Sequence, residues 1–291
     1  MAPALPAHGR MADYTALAKP RLNLLVVGSA VAGYVMAGGN TADIATLGWM
    51  TAGTGLVAGG ASAFNQLMER RRDGMMRRTR TRPLPDGRLG AGDALVFGGL
   101  LSLSGLLILA LGVNLLATAV AFATLATYAV VYTPLKPVTS FATVIGAVPG
   151  ALPPVIGWAA AAVGLSQGAW ILFGIVFLWQ LPHFLAIAWI YREDYARAGF
   201  PMLPVVEPDG RSTARHAVTY TAALLPFALA PTLAGLSGVV YFTGALVLTL
   251  AFLATSIRFA MTRTIADARR LFFASILYLP LLWVLMIVDR T

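Results

Sequence analysis

The sequence predicts an all-α, polytopic membrane protein. Nine transmembrane helices are expected in a bundle around a central cavity, under a cytoplasmic cap made by the connections after the second and sixth spans. Three observations carry this. Of 291 residues, 58% are hydrophobic and only 11% charged, with a mean hydropathy of +0.76, whereas a soluble domain is nearer half apolar and a quarter charged. Apolar stretches close to the roughly 20 residues needed to cross a bilayer recur along the chain. Once those stretches are placed, the cations fall on one side. A disordered chain would be poorer in apolar residues. The absence of cysteine excludes a disulfide scaffold, a thiolate zinc site and an iron–sulfur cluster.

The first stretch, 22–38, follows a tail with His8, Arg10, Lys19 and Arg21. It passes through Gly38, Gly39 and Asn40 into a second stretch, 45–63, so a retained helix is expected rather than a cleaved signal peptide. The N-terminal residues lack the Arg-rich, Ser-rich character of a mitochondrial leader, which favours a bacterial plasma membrane. The third stretch, 93–111, opens on Asp93, a carboxylate suited to a helix N-terminus. The fourth, 114–132, follows after only Gly112–Asn114. The fifth, 141–160, contains Gly146, Pro149, Gly150, Pro153, Pro154 and Gly157, which predicts a kinked helix packed close to its neighbours. The sixth, 169–190, contains His183; the seventh, 216–235, and the eighth, 238–257, are joined by the short Gly235–Gly238 connection, and the ninth, 271–288, follows a connection that carries Arg258, Arg263, Arg269 and Arg270. Spans and connections account for the chain, so residues 1–291 are expected to form a single membrane domain.

With these spans, 20 of the 21 Lys and Arg residues fall on the side of the N-terminus and only Arg290 on the other. The positive-inside rule then predicts a cytoplasmic N-terminus and an outer C-terminus, as an odd number of spans requires. The net charge of +9 is thus an orientation signal and calls for no nucleic acid. The two long connections, about 64–92 and 191–215, both face the cytoplasm. Long polar loops on a rigid scaffold are where function concentrates.

The first loop opens on Asn65, Glu69 and Asp73. If the second helix continues, the i, i+4, i+8 spacing places all three on one face, a set of oxygens suited to magnesium. Solvated pairing of Glu69 and Asp73 with the adjacent arginines is the competing reading. Arg77, Arg78, Arg80, Arg82 and Arg88 follow in a proline-containing loop. Arginines there can converge on phosphate with bidentate donors, so the pair of features suits a magnesium–diphosphate substrate. In the sixth span His183 is an intramembrane polar residue, read either as a hydrogen-bonded bundle histidine or as a ligand or proton carrier. Glu193 and Asp194 at its end supply a second metal site or pair with Arg192 and Arg197. Lys136, in Tyr132-Thr-Pro-Leu-Lys136, is a topology signal or a point charge for phosphate.

Together these motifs resemble those of the intramembrane aromatic prenyltransferases of the UbiA type, and within them the haem O synthase (protohaem IX farnesyltransferase) branch. The residues that match are Asn65-x3-Glu69-x3-Asp73, Arg77-Arg-Thr-Arg-x-Arg82-Pro-Leu-Pro, Tyr132-Thr-x-Leu-Lys136, Trp179-Gln-x-Pro-His183-Phe, Asp194-Tyr-x-x-Ala-Gly-x-Pro-Met-Leu-Pro204 and Lys19-Pro20-Arg21. The resemblance implies transfer of farnesyl from farnesyl diphosphate to the vinyl group of haem B, with addition of water, giving haem O. It implies Mg2+ held by Asn65, Glu69, Asp73 and Asp194, diphosphate contacts from Arg77, Arg82 and Lys136, Tyr132 facing the reacting cation or the cavity, and His183 meeting the haem. Haem B, farnesyl diphosphate and membrane lipids are the implied partners. A haem A synthase or oxidase assembly factor would receive the product.

The sequence departs from the family in two places. Many members carry an acidic pair in the second motif, where Ile190 and Ala198 flank Asp194 here, and a second basic residue after the loop lysine, where Pro137 stands here. A prenyltransferase for a quinone precursor or chlorophyllide, and a transporter for an anionic lipid or metabolite, are the alternative readings. Glu69 and the Pro201–Pro204 run favour the haem branch by resemblance.

Overall fold

The computed structural model describes residues 9–38, 43–162 and 164–291. His8, Gly39 and Asn40 lie outside the described residues. Everything regular among the described residues is helical, apart from one isolated bridge between Ser237 and Arg290. A short α1 (Arg10–Ala18) precedes α2 (Pro20–Gly38), α3 (Ile44–Asp73) and α4 (Ala91–Gly112). Next come α5 (Leu115–Ala126), a π-helical segment (Thr127–Tyr132) and α6 (Thr133–Leu135), then α7 (Ala142–Ala151) and α8 (Pro153–Ala161). The chain continues through α9 (Gln167–Ile190), α10 (Arg192–Arg197), α11 (Leu203–Val206), α12 (Arg211–Leu233), α13 (Val239–Thr262) and α14 (Ile265–Val288).

Each of the nine expected spans falls on a helical segment. Seven are long and apolar enough to cross a membrane: α2, α4, α5 with its extension through Leu135, the α7–α8 pair, α9, α13 and α14. The other two, α3 with 30 residues and α12 with 23, are long enough but richer in glycine, threonine and charged residues. Large apolar side chains such as Leu103, Leu107 and Leu111 on α4 are exposed on the outside. That outward display suits lipid, where no polar rim is needed.

Two local features position the site. α3 runs ten residues past the expected end of its span, because its polar end packs under the cap rather than fraying into a loop. The fifth span breaks at Leu152, between Pro149 and the Pro153–Pro154 pair, since proline removes a helical donor and clashes with the preceding turn. The break lets α8 cross α2 at backbone contact. A Cβ on Gly157 would lie 1.8 Å from the Ala30 carbonyl oxygen, and one on Gly33 would lie 2.0 Å from the Pro154 oxygen.

Candidate active site

Asn65, Glu69 and Asp73 lie on successive turns of α3 and are buried, with exposures of 5%, 5% and 1%. They line a polar chamber of about 240 Å³ under the cap, together with Lys19, Tyr132 and Lys136. Asn65 Nδ2 donates to Glu69 Oε1 at 2.9 Å, and Lys136 Nζ donates to both Glu69 oxygens at 2.9 and 3.0 Å. Arg82 Nη1 donates to Asp73 Oδ2 at 2.7 Å, and Lys19 Nζ to Asn65 Oδ1 at 3.4 Å. Asp73 Oδ1 is buried with no hydrogen-bond partner. An unpaired buried carboxylate oxygen is costly, and a cation is the group that would satisfy it. Magnesium takes carboxylate and amide oxygens and completes its shell with water or substrate phosphate, so the donor set fits that ion.

The lysines feel this charge density differently. Lys19, held in a left-handed conformation between α1 and α2 (φ 48°), is pushed down to about 7 by burial and then by Arg82, with Glu69 acting in opposition. Burial also works against the Lys136 ammonium, but Tyr132 and Glu69 hold its pKa above the ordinary lysine value. Cations crowded into one partly dehydrated chamber create a field that an anion relieves.

The cap is formed by 74–90 and 191–210, which share a small apolar core of Met76, Tyr195, Phe200 and Met202. Gly199, at φ +69°, turns the chain after α10 so that the Phe200 N–H reaches the Tyr195 oxygen at 2.9 Å. The Phe200 ring then lies 4.9 Å from Lys136 Nζ and 5.5 Å from the Arg72 guanidinium, a cation–π platform. Arg78 also lines the chamber. It stacks over Tyr191 and Tyr195 and donates Nη2 to the Tyr195 hydroxyl at 2.8 Å. Arg77 is different: it is not among the residues lining the chamber, and its backbone N–H donates to Asp194 Oδ1 at 3.3 Å. Asp194 also pairs with Arg197 and is not among the residues lining the chamber. Burial alone would raise its pKa, but the Arg77 N–H and the Arg197 guanidinium hold it below the ordinary aspartate value.

Lys19, Leu22 and Phe184 border both this chamber and a second, apolar one of about 290 Å³, close to the lower end of small-molecule pockets. Val26, Ala58, Tyr128, Pro149, Trp179 and His183 help to line it. The π segment sits where the chambers meet. It turns Tyr128 and Tyr132 toward each other, ring centroids 5.3 Å apart, with Tyr128 in the apolar chamber and Tyr132 in the polar one. Single π turns inside helices often mark functional positions. A Cβ on Gly146 would meet the Tyr132 ring at 2.5 Å, so glycine there makes room for the tyrosine.

His183 lies between Trp179 and Phe272, with ring centroids 5.5 and 5.1 Å away. Its Nδ1 is 2.7 Å from Ser275 Oγ, whose hydroxyl donates to the Phe272 oxygen at 2.6 Å. With the serine proton on the Phe272 oxygen, Nδ1 is the donor and Nε2 carries the ring's lone pair; with that proton on Nδ1 the two nitrogens exchange roles.

Thus Asn65, Glu69, Asp73, Arg82, Tyr132 and Lys136 are brought together, His183 is placed in the adjoining chamber, and Arg77 and Asp194 are placed in the cap. Lys19, Arg78 and Tyr195 join the polar chamber without having been singled out from the sequence as site residues. Their motifs were visible, but the inward-facing arginine of the pair 77–78 depends on the loop's fold.

The model of the UbiA prenyltransferase family matches residues 26–277. The chain belongs to this family. A relative, the protoheme IX farnesyltransferase of Solibacter usitatus, is 50% identical over 289 residues, covering 96% of this chain and 99% of the relative. Among solved structures, a digeranylgeranylglyceryl phosphate synthase superposes with a TM-score of 0.80 at 16% identity, over 97% of this chain and 99% of the other. A UbiA homologue from Archaeoglobus fulgidus bound to GPP and Mg2+ gives a TM-score of 0.67 at 14% identity, over 94% and 99%. These structures share the fold with this chain. UbiA membership and the apolar helices make it a multi-pass membrane prenyltransferase.

Proposed function

We propose that this protein transfers the farnesyl group of farnesyl diphosphate to the vinyl group of haem B, with addition of water, to give haem O. The observation that carries the reading is the meeting of a cation-lined polar chamber and an apolar chamber at Lys19, Leu22 and Phe184. A lipid-tailed diphosphate has the same two-part chemistry. The name of the Solibacter relative narrows the acceptor to protohaem.

Asn65, Glu69 and Asp73 would hold magnesium, which when bound draws charge from the departing diphosphate. Their present partners, Lys136 and Arg82, are then free to turn to the diphosphate, joined by Arg78 and Lys19. The carboxylates exchange cationic side chains for a metal, and the side chains exchange carboxylates for phosphate oxygens. Charge is stabilised on the leaving group in a site that excludes bulk water. Tyr128 and Tyr132 offer ring faces to the allylic cation. The vinyl electron pair attacks C1 of that cation, and water captures the carbocation formed beside the porphyrin ring and loses a proton. Haem B, farnesyl diphosphate and water thus become haem O and diphosphate. In the tautomer with Nδ1 as the donor, the Nε2 lone pair of His183 is the group in the apolar chamber suited to the haem iron.

We place residues 1–291 in a single catalytic unit in a bacterial plasma membrane, with the N-terminus and cap cytoplasmic and the C-terminus outside, on the strength of the one-sided cations. A haem A synthase or oxidase assembly factor would take the product. The test is direct: purified protein given haem B, farnesyl diphosphate and Mg2+ yields haem O by mass spectrometry, and loses the activity with a chelator. Folded, haem-binding protein that makes no haem O rejects the proposal.

A further inference from the structure

The reaction consumes water, and the wall of the apolar chamber carries a group suited to hold it. Gln180, on α9 one turn before His183, is 3% exposed and lines the chamber. Its Nε2 donates to the Ala147 oxygen at 2.7 Å. A carbonyl only accepts, so this contact fixes which end of the amide is nitrogen. Oε1 therefore points the other way, toward Gly150, where a Cβ would lie 2.1 Å from it. Gly150 also lines the chamber, and its missing side chain leaves room at the oxygen. Among the described residues nothing donates to Oε1. A buried amide oxygen without a donor is costly. The reactants narrow what can satisfy it. The rim of haem B offers ionised carboxylates, vinyl and methyl groups, and the farnesyl chain is hydrocarbon. Neither has an N–H or O–H to give, whereas water has two.

Other polar residues of this chamber are placed differently. Ser29 accepts from Trp283 Nε1, and the Thr124 hydroxyl donates to the Val120 oxygen. Asn23, Ser62 and Tyr128 each lie about one turn from a residue of the polar chamber, namely Lys19, Asn65 and Tyr132, so they belong to the junction where diphosphate would leave. Gln180 is the one beside His183. We propose that Gln180 Oε1 holds the water that completes haem O. By accepting one O–H, it turns the water's lone pair into the chamber. The terminal vinyl carbon bonds to farnesyl C1 as the C–O bond to diphosphate breaks, which leaves a cation on the vinyl carbon attached to the porphyrin. The lone pair of the held water forms the new C–O bond there, and the proton it sheds goes to the departed diphosphate. Without a held water, the same cation is quenched by losing a proton from its neighbouring carbon. The product is then an alkenyl haem, lighter than haem O by one water. In an apolar chamber few other groups can retain water, so Gln180 decides between the two fates. The inference rests on the haem O reading above.

The test is the ratio of the two products, haem O and the alkenyl haem, read by mass spectrometry. Full-length protein in nanodiscs is given haem B, farnesyl diphosphate and Mg2+. Haem binding is followed at the Soret band, and the metal site by electron paramagnetic resonance of Mn2+ in place of magnesium. The native chain is expected to give haem O as its main product. Gln180→Met keeps the volume and loses the oxygen. Its haem O to alkenyl haem ratio should fall roughly three- to tenfold, the scale of one hydrogen bond, while haem and Mn2+ binding stay native. Gly150→Ala keeps the amide but crowds Oε1, and should move the ratio the same way by less. Ser62→Ala should leave it unchanged. A folded, haem-binding Gln180→Met that still makes only haem O overturns the proposal, whether its rate is native or reduced, since a purely structural role slows both fates alike. If Gln180→Met does not fold, an unchanged ratio in Gly150→Ala overturns it instead. A native chain that makes no haem O rejects the parent reading and this inference with it.

Discussion

The polar and apolar chambers differ in how their walls are made. In the polar chamber nearly every side chain is held by another charged or polar one: Lys136 on Glu69, Arg82 on Asp73, Lys19 on Asn65. In the apolar chamber the shape comes from backbone and packing, through the proline break after α7, the π turn before α6 and glycines at close contacts. Polar groups there are anchored away from one another, as His183 is by Ser275 and Gln180 by the Ala147 oxygen. The contrast suggests a division of labour. The first chamber controls charge, and its residues act as a set. The second controls volume and acceptor, and its residues act one at a time.

The largest effect expected from breaking this division is Asp73→Ala. It removes the chamber's unpartnered oxygen and should lower haem O formation by roughly 10²–10³-fold or more, while circular dichroism and haem binding stay native. Retained activity would remove Asp73 from the site. Next is Lys136→Met, which leaves Glu69 buried and uncompensated, a loss of about 3–5 kcal/mol. The melting temperature should fall in the apo protein and recover in part with Mg2+ and farnesyl thiodiphosphate, because the metal replaces the missing charge. A fall that ligand does not recover would show that the pair is structural only.

His183→Ala sharpens the comparison from the other side. Haem affinity, read from the Soret band, should weaken roughly tenfold or more, equivalent to about 1.4 kcal/mol, with analogue affinity unchanged. Weakening of both would mean that the chambers do not separate the substrates. The smallest effect is expected for Gly150→Ala. Its Cβ would lie 2.1 Å from Gln180 Oε1, disturbing a side chain whose Nε2 donates to the Ala147 oxygen at 2.7 Å. Overpacking of this kind costs about 1–3 kcal/mol, so thermal stability should drop while Mn2+ binding is untouched.

Much of this was legible along the chain. Apolar runs located the nine helical segments, since a spanning segment must satisfy its own backbone and shows itself by length and composition. The i, i+4, i+8 spacing put Asn65, Glu69 and Asp73 on one face because helix geometry is local. The glycines and prolines of 146–157 announced a broken, close-packed helix. Pairings across the chain were not legible. Nothing near Asp194 indicates that its partner is the N–H of Arg77, nothing near His183 indicates Ser275, and nothing in the run of arginines distinguishes Arg78 from Arg77.

The sequence by itself determined the helices and the face of α3 that Asn65, Glu69 and Asp73 share, because hydropathy and helical periodicity act over a few turns of chain. Only the tertiary structure decided which cations reach the polar chamber, which aspartate faces it and that His183 meets Ser275. Those outcomes rest on contacts between segments tens to more than a hundred residues apart, where burial and hydrogen bonding to a distant partner set what each charged group can do.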